Sequence, residues 1–312
     1  MATTFNEHKP VLLEEVLSFV EKNRKMTYVD MTLGRGGHAS HILSKLRKGS
    51  TFYGIDRDED ALSYCRGFLA SYQNKVDLHY IHAEFKDATE ILREKIDGAD
   101  LILMDIGVSS PQFDDPNRGF SYRFDAPLDM RMNQEDSLTA KIILNTYPEK
   151  ELIRVFKDLG ECEGYYPVVK KILQRREEKE IETTFELVDI IKSSLPNRLL
   201  RKEGHPAKQF FLGLRYEVNG EIDQLRKGLK NAIEFLNPKG RLIIISFNSE
   251  EDRIVKDTFK KYTNNVHKDK YKTGEKEDGY TILTKKPILP TAEEVNLNSR
   301  SKPSILRALE RN

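Results

Sequence analysis

The sequence predicts an α/β fold with a mostly parallel, doubly wound sheet that is interrupted by an all-helical domain. Three observations lead to this prediction. Strand-like and helix-like stretches alternate through residues 1–107. A polar and aromatic segment follows, and after it come several helical stretches with no strand between them. The alternation then returns in the last third of the chain. Such alternation is typical of parallel sheets that helices cover on both faces.

The first third supplies four strands of the predicted sheet. Before the first strand, residues 10–21 place leucines and valines at helical spacing. The predicted strands are 27–31, 50–56, 76–83 and 99–107, and the predicted helices between them are 38–46, 60–72 and 86–96. Strands that are each joined by a helix to the next strand favour parallel pairing.

The rest of the chain divides into a helical insertion and the return of the sheet. In the insertion, Thr183 and Glu186 have the spacing of a capping box before the helical stretch 186–195. After the insertion we predict helices at 221–236 and 250–262 and strands at 240–247 and 280–286. The predicted domains are a discontinuous sheet domain, 1–112 with 213–312, and a helical domain, 113–212.

The composition is that of a globular protein and gives no global sign of a nucleic-acid partner. Of the 312 residues, 38% are hydrophobic and 32% are charged, yet the formal net charge is only +1, so any basic surface must be local. Cys65 and Cys162 lie far apart without metal-ligand spacing, and we interpret them as free thiols of a cytoplasmic protein. The sequence starts without a secretory signal pattern, and no apolar run approaches the ~20 residues that span a bilayer.

A glycine-rich turn after the first strand is the first candidate binding feature. Its glycines, Gly34, Gly36 and Gly37, let the backbone approach a ligand closely, and the helix that follows offers free N–H groups. Asp30 precedes the turn. Asp56 ends the second strand, where open α/β sheets place a carboxylate for ribose hydroxyls. Taken alone, the pattern also fits a tight turn with no ligand, or a nicotinamide cofactor.

Six segments match the motifs of a single family in order and nearly from end to end: HKPVLLEEVL (8–17), DMTLGRGGHAS (30–40), GIDRDEDAL (54–62), DIGVSSPQFDDPNRGFSYRFDAPLDMRM (105–132), HPAKQFFLGLRYEVNGEI (205–222) and ISFNSEEDRIVK (245–256). They resemble the bacterial 16S ribosomal RNA cytosine-N4 methyltransferases, known as RsmH or MraW. The resemblance implies a class I, Rossmann-like methyltransferase with a helical domain inserted after the fourth strand. It also implies methylation of N4 of a cytidine, position 1402 in the usual rRNA numbering, in the decoding region of the small ribosomal subunit.

The same resemblance implies S-adenosylmethionine as the cofactor and assigns residues to its pocket. Asp56 would take the ribose hydroxyls, Phe85 would lie by the adenine, and the glycine turn would line the methionine and ribose side. The implied pocket consists of Gly36, Gly37, His38, Asp56, Phe85, Asp105 and Gln112. From sequence alone, Phe85 also fits a core aromatic residue, and His38 also fits a turn residue.

Asp105 is the candidate catalytic residue. It follows the apolar run LILM at the carboxyl end of a strand, where burial of a carboxylate is costly unless it has a partner. The electron pair of cytosine N4 is delocalised into the ring, so an acceptor for an N4 hydrogen would make that nitrogen a better nucleophile. That acceptor is Asp105 or a main-chain carbonyl within 105–109. The Asp105 carboxylate could instead serve the amino group of the cofactor. This chemistry requires no metal.

Two segments are candidates for contact with RNA. Residues 113–131 interleave aromatic residues, which stack bases, with arginines, which bind phosphate. The aromatic residues are Phe113, Phe120, Tyr122 and Phe124, and the arginines are Arg118, Arg123 and Arg131. The alternative is that the aromatic residues anchor the insertion, and we expect the rings to divide between the two roles. Residues 253–286 carry ten Lys or Arg against five Asp or Glu, a pattern that also fits a solvated helix face.

The sequence departs from the family pattern mainly in and around the insertion. The family's SFHSLED is here SFNSEED, so Asn248 stands where a histidine is usual, and an amide cannot act as a base near neutral pH. The family arginines after Gly160 are replaced by EGYYPVVKK (163–171). Two other hypotheses therefore stay open: a methyltransferase that acts on a different RNA, on DNA or on protein, and a module that binds without turnover.

Overall fold

The computed structural model describes residues 10–107, 115–264 and 279–312, which belong to two compact units. The first unit contains the described residues up to Gly107 together with those from Asp223 onward. The second unit contains the described residues that lie between them and ends at Ile222.

Seven strands form a single sheet in the first unit. In chain order they are β1 (Thr27–Asp30), β2 (Ser50–Asp56), β3 (Val76–His82), β4 (Ala99–Asp105), β5 (Leu236–Ser246), β6 (Tyr280–Ile282) and β7 (Ile305–Arg311). Their spatial order is β3-β2-β1-β4-β5-β7-β6. The pairs among β1 to β5 are parallel, whereas β7 runs antiparallel between β5 and β6. The predicted α/β class with a mostly parallel, doubly wound sheet is confirmed.

Helices connect these strands. The longer helices of this unit contribute apolar side chains to its core; for example, Ala39, Ile42 and Leu43 of one of them are fully buried. The helices are Leu13–Ser18, Gly37–Lys45, Glu59–Phe68, Phe85–Arg93, Glu221–Glu234, Ser249–Asn264 and Ala292–Leu297. None of the helices in the described part of the chain is long and apolar enough to cross a membrane.

The strand order reverses at β1, which has β2 on one side and β4 on the other. In open α/β sheets, ligands bind in the crevice beyond the carboxyl ends of the strands at such a point. Asp30, Asp56 and Asp105 are the last residues of β1, β2 and β4. The topology therefore brings three carboxylates, separated by up to 75 residues of sequence, to one edge of the sheet.

The second unit is helical apart from an isolated β-bridge between Pro127 and Thr183 in its described residues. Its helices are Ala140–Thr146, Glu149–Ile153, Tyr165–Glu178, Thr184–Ser194, Asn197–Leu200 and Lys208–Asn219. The predicted capping box is present: the Thr183 side chain accepts from the Glu186 N–H, and the Glu186 side chain accepts from the Thr183 N–H. Phe156 and Phe210 are fully buried in its core, with ring centroids 5.2 Å apart. Helix Lys208–Asn219, which crosses the expected boundary at 212, packs in this unit.

Several elements differ from the sequence-based expectation, and three of these differences have a visible cause or consequence. The first helix begins only at Leu13, because Leu12 adopts a left-handed conformation with φ 52°. The strand expected at 280–286 ends at Ile282. Strand β7 was not predicted. Four of its consecutive residues, including Arg307, are buried, so the alternation that marks a half-buried strand is absent. Arg307 is accommodated there by a two-pronged ion pair with Asp252, at 2.5 and 2.8 Å.

Candidate active site

The glycine turn has no room for a side chain at its centre. Gly36 has φ 73°, and a Cβ atom there would lie 3.0 Å from the sulfur of Cys65. The Cys65 thiol lies under the turn and donates to the main-chain oxygen of Gly34 at 3.3 Å. Gly36 is also the residue before helix Gly37–Lys45, whose first N–H groups have no partner within the helix. The turn thus presents bare backbone at the carboxyl edge of β1.

The segment before the first helix lies on this turn. Pro10 is so close to Gly37 that a Cβ atom there would be 2.8 Å from the proline ring. The main-chain oxygen of Val11 lies 2.9 Å from Nε2 of His38, and the Leu12 N–H donates to the Glu294 carboxylate at 2.7 Å. These contacts help to bury His38, which is only 7% exposed. Contacts this far apart in sequence were not foreseen from the motifs.

The Asp30 carboxylate stabilises the start of the glycine turn through hydrogen bonds within the protein. It accepts from the Tyr28 hydroxyl at 2.9 Å and from the Thr32 N–H at 3.2 Å. Burial raises the pKa of Asp30 to about 6, although both hydrogen bonds favour its charged form. Asp30 therefore fixes the start of the turn between β1 and the helix.

Asp56 joins the turn to the end of β2. One carboxylate oxygen accepts from the Gly34 N–H at 2.7 Å, and the other accepts from the Asp58 N–H at 2.9 Å. Burial raises the pKa of Asp56, and these backbone donors oppose that shift. Each carboxylate oxygen can accept more than one hydrogen bond, so Asp56 retains acceptor capacity for a ligand.

Asp105 differs from the other two carboxylates because no hydrogen bond to its side chain is found from the described residues. Its Oδ1 atom is buried and has no hydrogen-bond partner among the described residues. Its Oδ2 atom lies 3.6 Å from Nδ1 of His38. Burial raises the pKa of Asp105 to about 7, and the negative charge of Glu251 adds to the shift. The main chain of Asp105 is held in place, since its N–H donates to the Thr32 hydroxyl at 2.6 Å.

Of the other two predicted pocket residues, the structure describes only Phe85. Phe85 is half-buried at the first turn of helix Phe85–Arg93, and its ring lies against Gly228, where a Cβ atom would be 2.5 Å away. The chain reaches Phe85 from the end of β3, where the Ala83 N–H donates to the main-chain oxygen of Asp56. Gln112 lies outside the described residues, as do Val108 and Ser109 of the 105–109 stretch that supplies the alternative main-chain acceptor.

The structure thus brings five of the seven predicted pocket residues to one edge: Gly36, Gly37, His38, Asp56 and Asp105. Sequence reasoning missed the hydroxyl of Thr32, the thiol of Cys65 and the carboxylate of Glu251. Thr32 lies within the glycine-turn motif, so the motif itself held a signal for it. Cys65 and Glu251 occupy helices whose packing the sequence does not specify. Together these residues form a polar edge with backbone donors, a carboxylate that can receive a proton and a buried imidazole.

The arginines of the 113–131 segment divide into structural and exposed residues. Arg118 donates to the main-chain oxygens of Arg131 and Met132, and Arg131 forms a two-pronged pair with Asp129 at 2.7 and 2.9 Å. Arg123 is exposed. The rings also divide: Phe120 is in the core of the second unit, Tyr122 is half-buried and Phe124 is 50% exposed. Phe113 lies outside the described residues.

Asn248, the main departure from the family motif near the sheet, caps a helix. Its side-chain oxygen accepts from the N–H groups of Glu250 and Glu251 at 3.1 and 3.0 Å, at the start of helix Ser249–Asn264. Asparagine is among the most favourable residues at this position. Of the basic stretch 253–286, residues 265–278 lie outside the described part of the chain, and Arg253 is paired with Glu250.

Comparisons with known proteins extend over almost the whole chain. A profile described as the MraW methylase family matches residues 5–312. The ribosomal RNA small subunit methyltransferase H of Halothermothrix orenii is 40% identical, with 98% of this chain and 98% of that protein covered. The protein of the same name from Clostridium botulinum (strain Loch Maree) is 43% identical, with 96% and 97% covered. Among solved structures, an rRNA methylase from Streptococcus thermophilus has 10% identity and a TM-score of 0.40, with 95% and 92% covered.

Proposed function

The chain belongs to the MraW methylase family, and on that premise we propose that it transfers a methyl group from S-adenosylmethionine to 16S ribosomal RNA. The acceptor is N4 of a cytidine, position 1402 in the usual rRNA numbering, in the decoding region of the small subunit. Methyl transfer to small-subunit rRNA is the activity in the name of the relatives at 40% and 43% identity. The residue-level resemblance supplies the finer assignment to N4 of this cytidine.

A single observation carries the chemical part of this proposal. A carboxylate oxygen of Asp105 is buried without a hydrogen-bond partner among the described residues, at the edge where the strand order reverses. Leaving such an atom unsatisfied costs about 1–3 kcal/mol, and more for a charged group, so a hydrogen-bond donor at this position would be strongly favoured. A ligand that donates a hydrogen to Asp105 would supply the missing partner.

The residues at this edge fit S-adenosylmethionine. Gly36 allows the tight turn that exposes main-chain N–H groups, since its φ of 73° and the nearby Cys65 sulfur exclude a side chain. Gly36, Gly37 and His38 would then lie along the methionine and ribose side of the cofactor. Asp56 keeps acceptor capacity for the ribose hydroxyls beyond its backbone donors, which include Gly34 and Asp58. Phe85 would lie by the adenine, and Gln112 is assigned to the pocket by the resemblance alone.

Asp105 is the residue that we assign to the chemistry. S-adenosylmethionine, when bound, supplies an electrophilic methyl group on a sulfonium. Asp105 accepts a hydrogen bond from the amino group of cytosine, which returns electron density to N4. It takes the N4 proton as the new N–C bond forms and the bond between the methyl carbon and sulfur breaks, with that electron pair left on sulfur. Its pKa of about 7 suits proton transfer near neutral pH. Glu251, buried nearby, keeps that pKa high and so favours uptake of the proton.

The test combines deletion of the gene with mass mapping of small-subunit rRNA nucleosides. We expect the loss of one N4-methylcytidine mark, which returns with the wild-type gene and not with Asp105→Ala. Asp77→Asn is the matched control, because Asp77 is an exposed carboxylate of β3. An unchanged N4-methylcytidine content after deletion would refute the proposed substrate. Full turnover by Asp105→Asn with weaker cofactor binding alone would refute the proton-accepting role and leave Asp105 as a cofactor contact.

A further inference from the structure

The second unit has an open surface cleft of about 530 Å³ that none of the cofactor motifs explains. Its lining consists of Tyr122, Arg123, Gly204, His205 and Lys208. Tyr122 and His205 are half-buried, whereas Arg123 and Lys208 are exposed. The cleft therefore combines an aromatic wall with two cations.

The aromatic wall is a fixed ring pair. The rings of Tyr122 and His205 stack with centroids 4.3 Å apart and planes within 5° of parallel. The edge of Phe211 supports Tyr122, at 5.7 Å and 87°. Stacked and edge-to-face pairs of this kind hold each ring in one orientation. The wall is thus built before any ligand arrives.

The polar atoms of the cleft are mainly donors. The Ala207 N–H donates to Nδ1 of His205 at 3.3 Å, so in the neutral ring the proton is on Nε2. Burial lowers the pKa of His205, and the positive charges of Lys192 and Arg123 lower it further, which keeps the ring neutral at neutral pH. Nε2 of His205, the guanidinium of Arg123 and the ammonium of Lys208 are all donors, a set that suits an anion.

Three cations around this cleft lack acidic partners among the described residues. Arg123, Lys192 and Lys208 form no side-chain hydrogen bond or ion pair with any residue in the described part of the chain. Five other cations of the unit do have carboxylate partners: Lys141, Arg154, Lys170, Lys179 and Lys202. Three unpaired cations gathered at one cleft make it a locally basic surface, which is compatible with a net charge of only +1 for the whole chain.

One exposed ring follows a residue of the cleft in the chain, and a second belongs to the segment that is hydrogen-bonded to it. Phe124 follows Arg123 and is 50% exposed, and Phe185 is 43% exposed. The main-chain oxygen of Phe124 accepts from the Thr184 hydroxyl at 2.6 Å, which joins the two segments. Exposed aromatic rings beside cations are what proteins use to stack the bases of single-stranded RNA.

We propose that this cleft binds a backbone phosphate of the RNA substrate, at a nucleotide other than the one that is methylated. The proposal rests on the proposed rRNA substrate and adds the place where the RNA chain is held. Arg123 and Lys208 contact the phosphate, and the adjoining sugar packs on the wall of Tyr122 and His205. The donors of the cleft do not match the edge of a cytosine, which needs an acceptor for its amino group, so the cleft positions the chain and does not read the target base.

The test measures binding of a single-stranded RNA oligonucleotide by fluorescence anisotropy over a range of salt concentrations, with no turnover required. For Arg123→Ala combined with Lys208→Ala we expect about tenfold weaker binding, and a slope of log K against log salt that is smaller by about 0.7 for the lost phosphate contact. The matched control is Lys157→Ala combined with Lys171→Ala, which removes the same charge from exposed positions of the same unit that do not line the cleft. Calorimetry with S-adenosylmethionine checks that each variant retains its cofactor site.

Several outcomes would overturn the inference. Equal loss of affinity in the cleft and control variants would mean that only net charge matters. Displacement of the RNA by an acidic peptide at equal charge concentration would mean that the cleft takes any polyanion or a protein partner. Absence of RNA binding by the wild-type protein would also refute it, even if that protein methylates isolated small subunits. Conversely, the wild-type protein could bind RNA through Arg123 and Lys208 and yet fail to methylate the subunit. That result would refute the proposed function and support the cleft assignment.

Discussion

Nδ1 of His38 lies 3.6 Å from Oδ2 of Asp105, and the other ring nitrogen of His38 lies 2.9 Å from the main-chain oxygen of Val11. A carbonyl oxygen only accepts, so the proton of the neutral ring is on Nε2 and the Nδ1 lone pair faces the carboxyl group. Burial lowers the pKa of His38 and raises that of Asp105 to about 7. The N-terminal segment, through Val11, thereby fixes the tautomer that faces the candidate catalytic residue.

Two substitutions of His38 should show how much the hydrogen bond from Nε2 to the Val11 oxygen contributes to stability. The side-chain amide of His38→Gln is long enough to replace Nε2 as the donor to the Val11 oxygen, whereas that of His38→Asn is too short. At pH 8, only the Asn variant should therefore lose about 1–2 kcal/mol of unfolding free energy.

The pKa of His38 also predicts a pH dependence. As pH decreases, the His38 ring takes up a proton in the unfolded state before it does so in the folded state, because folding lowers its pKa. Wild-type stability should therefore fall, relative to His38→Gln, as pH decreases below about 6.5. Denaturant unfolding at pH 5, 6.5 and 8 measures both effects. A constant difference across this range would contradict the buried neutral state of His38.

Asp105→Asn should stabilise the protein most at high pH. The folded-state pKa of Asp105 is raised from 3.8 to about 7, so between these values the folded state keeps a proton that the unfolded state releases. The unfolding free energy of the wild type therefore decreases as pH rises through this window. That of the variant does not, because its amide does not titrate. We expect a gain in unfolding free energy of about 2–4 kcal/mol at pH 8 and a small gain at pH 4.5. The exposed Asp77→Asn control should show no such trend, and a gain independent of pH would refute the raised pKa.

Two glycine substitutions should have opposite effects on stability. Gly36→Ala places a side chain at φ 73°, 3.0 Å from the Cys65 sulfur, and should lower the unfolding free energy by about 1–3 kcal/mol. Gly67→Ala lies in helix Glu59–Phe68 with no atom within 4 Å of the new Cβ, and should raise it by about 0.5–1 kcal/mol. Only Gly36→Ala should weaken calorimetric binding of S-adenosylmethionine. Tight binding by this variant would mean that the turn does not need a bare backbone.

Asn248 should matter for stability and not for methyl transfer. Asn248→Ala removes the acceptor for the first N–H groups of helix Ser249–Asn264 and should cost about 1 kcal/mol, while Asn248→Ser should keep most of the cap. Introduction of the family residue by Asn248→His should leave the methylation rate within about twofold of wild type at saturating substrate. These effects are measured by denaturant unfolding and by a methylation assay on small subunits. A large rise in rate with histidine would show that this position takes part in the reaction.

Local patterns in the sequence account for much of the fold. Alternation of strands and helices predicted the doubly wound sheet, and the Thr183 and Glu186 spacing predicted a helix start that the structure contains. Such features depend on residues close together in the chain, whose backbone geometry is set locally. Strand β7 was not predicted because its burial comes from neighbours that are distant in sequence. It also contains Arg307, a charged residue that can be buried there only because it pairs with Asp252.

At the candidate site, the sequence by itself determined which residues end the strands, because an aspartate after an apolar run is visible without coordinates. Only the tertiary structure decided how they differ. Asp30 and Asp56 receive donors from Tyr28, Thr32, Gly34 and Asp58, whereas Asp105 keeps a buried oxygen without a partner in the described residues. In the same way, the sequence showed the arginines of 113–131, and packing decided that Arg118 and Arg131 support the backbone while Arg123 faces the cleft. The physical reason is that hydrogen-bond satisfaction and burial depend on what packs nearby, and sequence spacing does not specify contacts between distant segments.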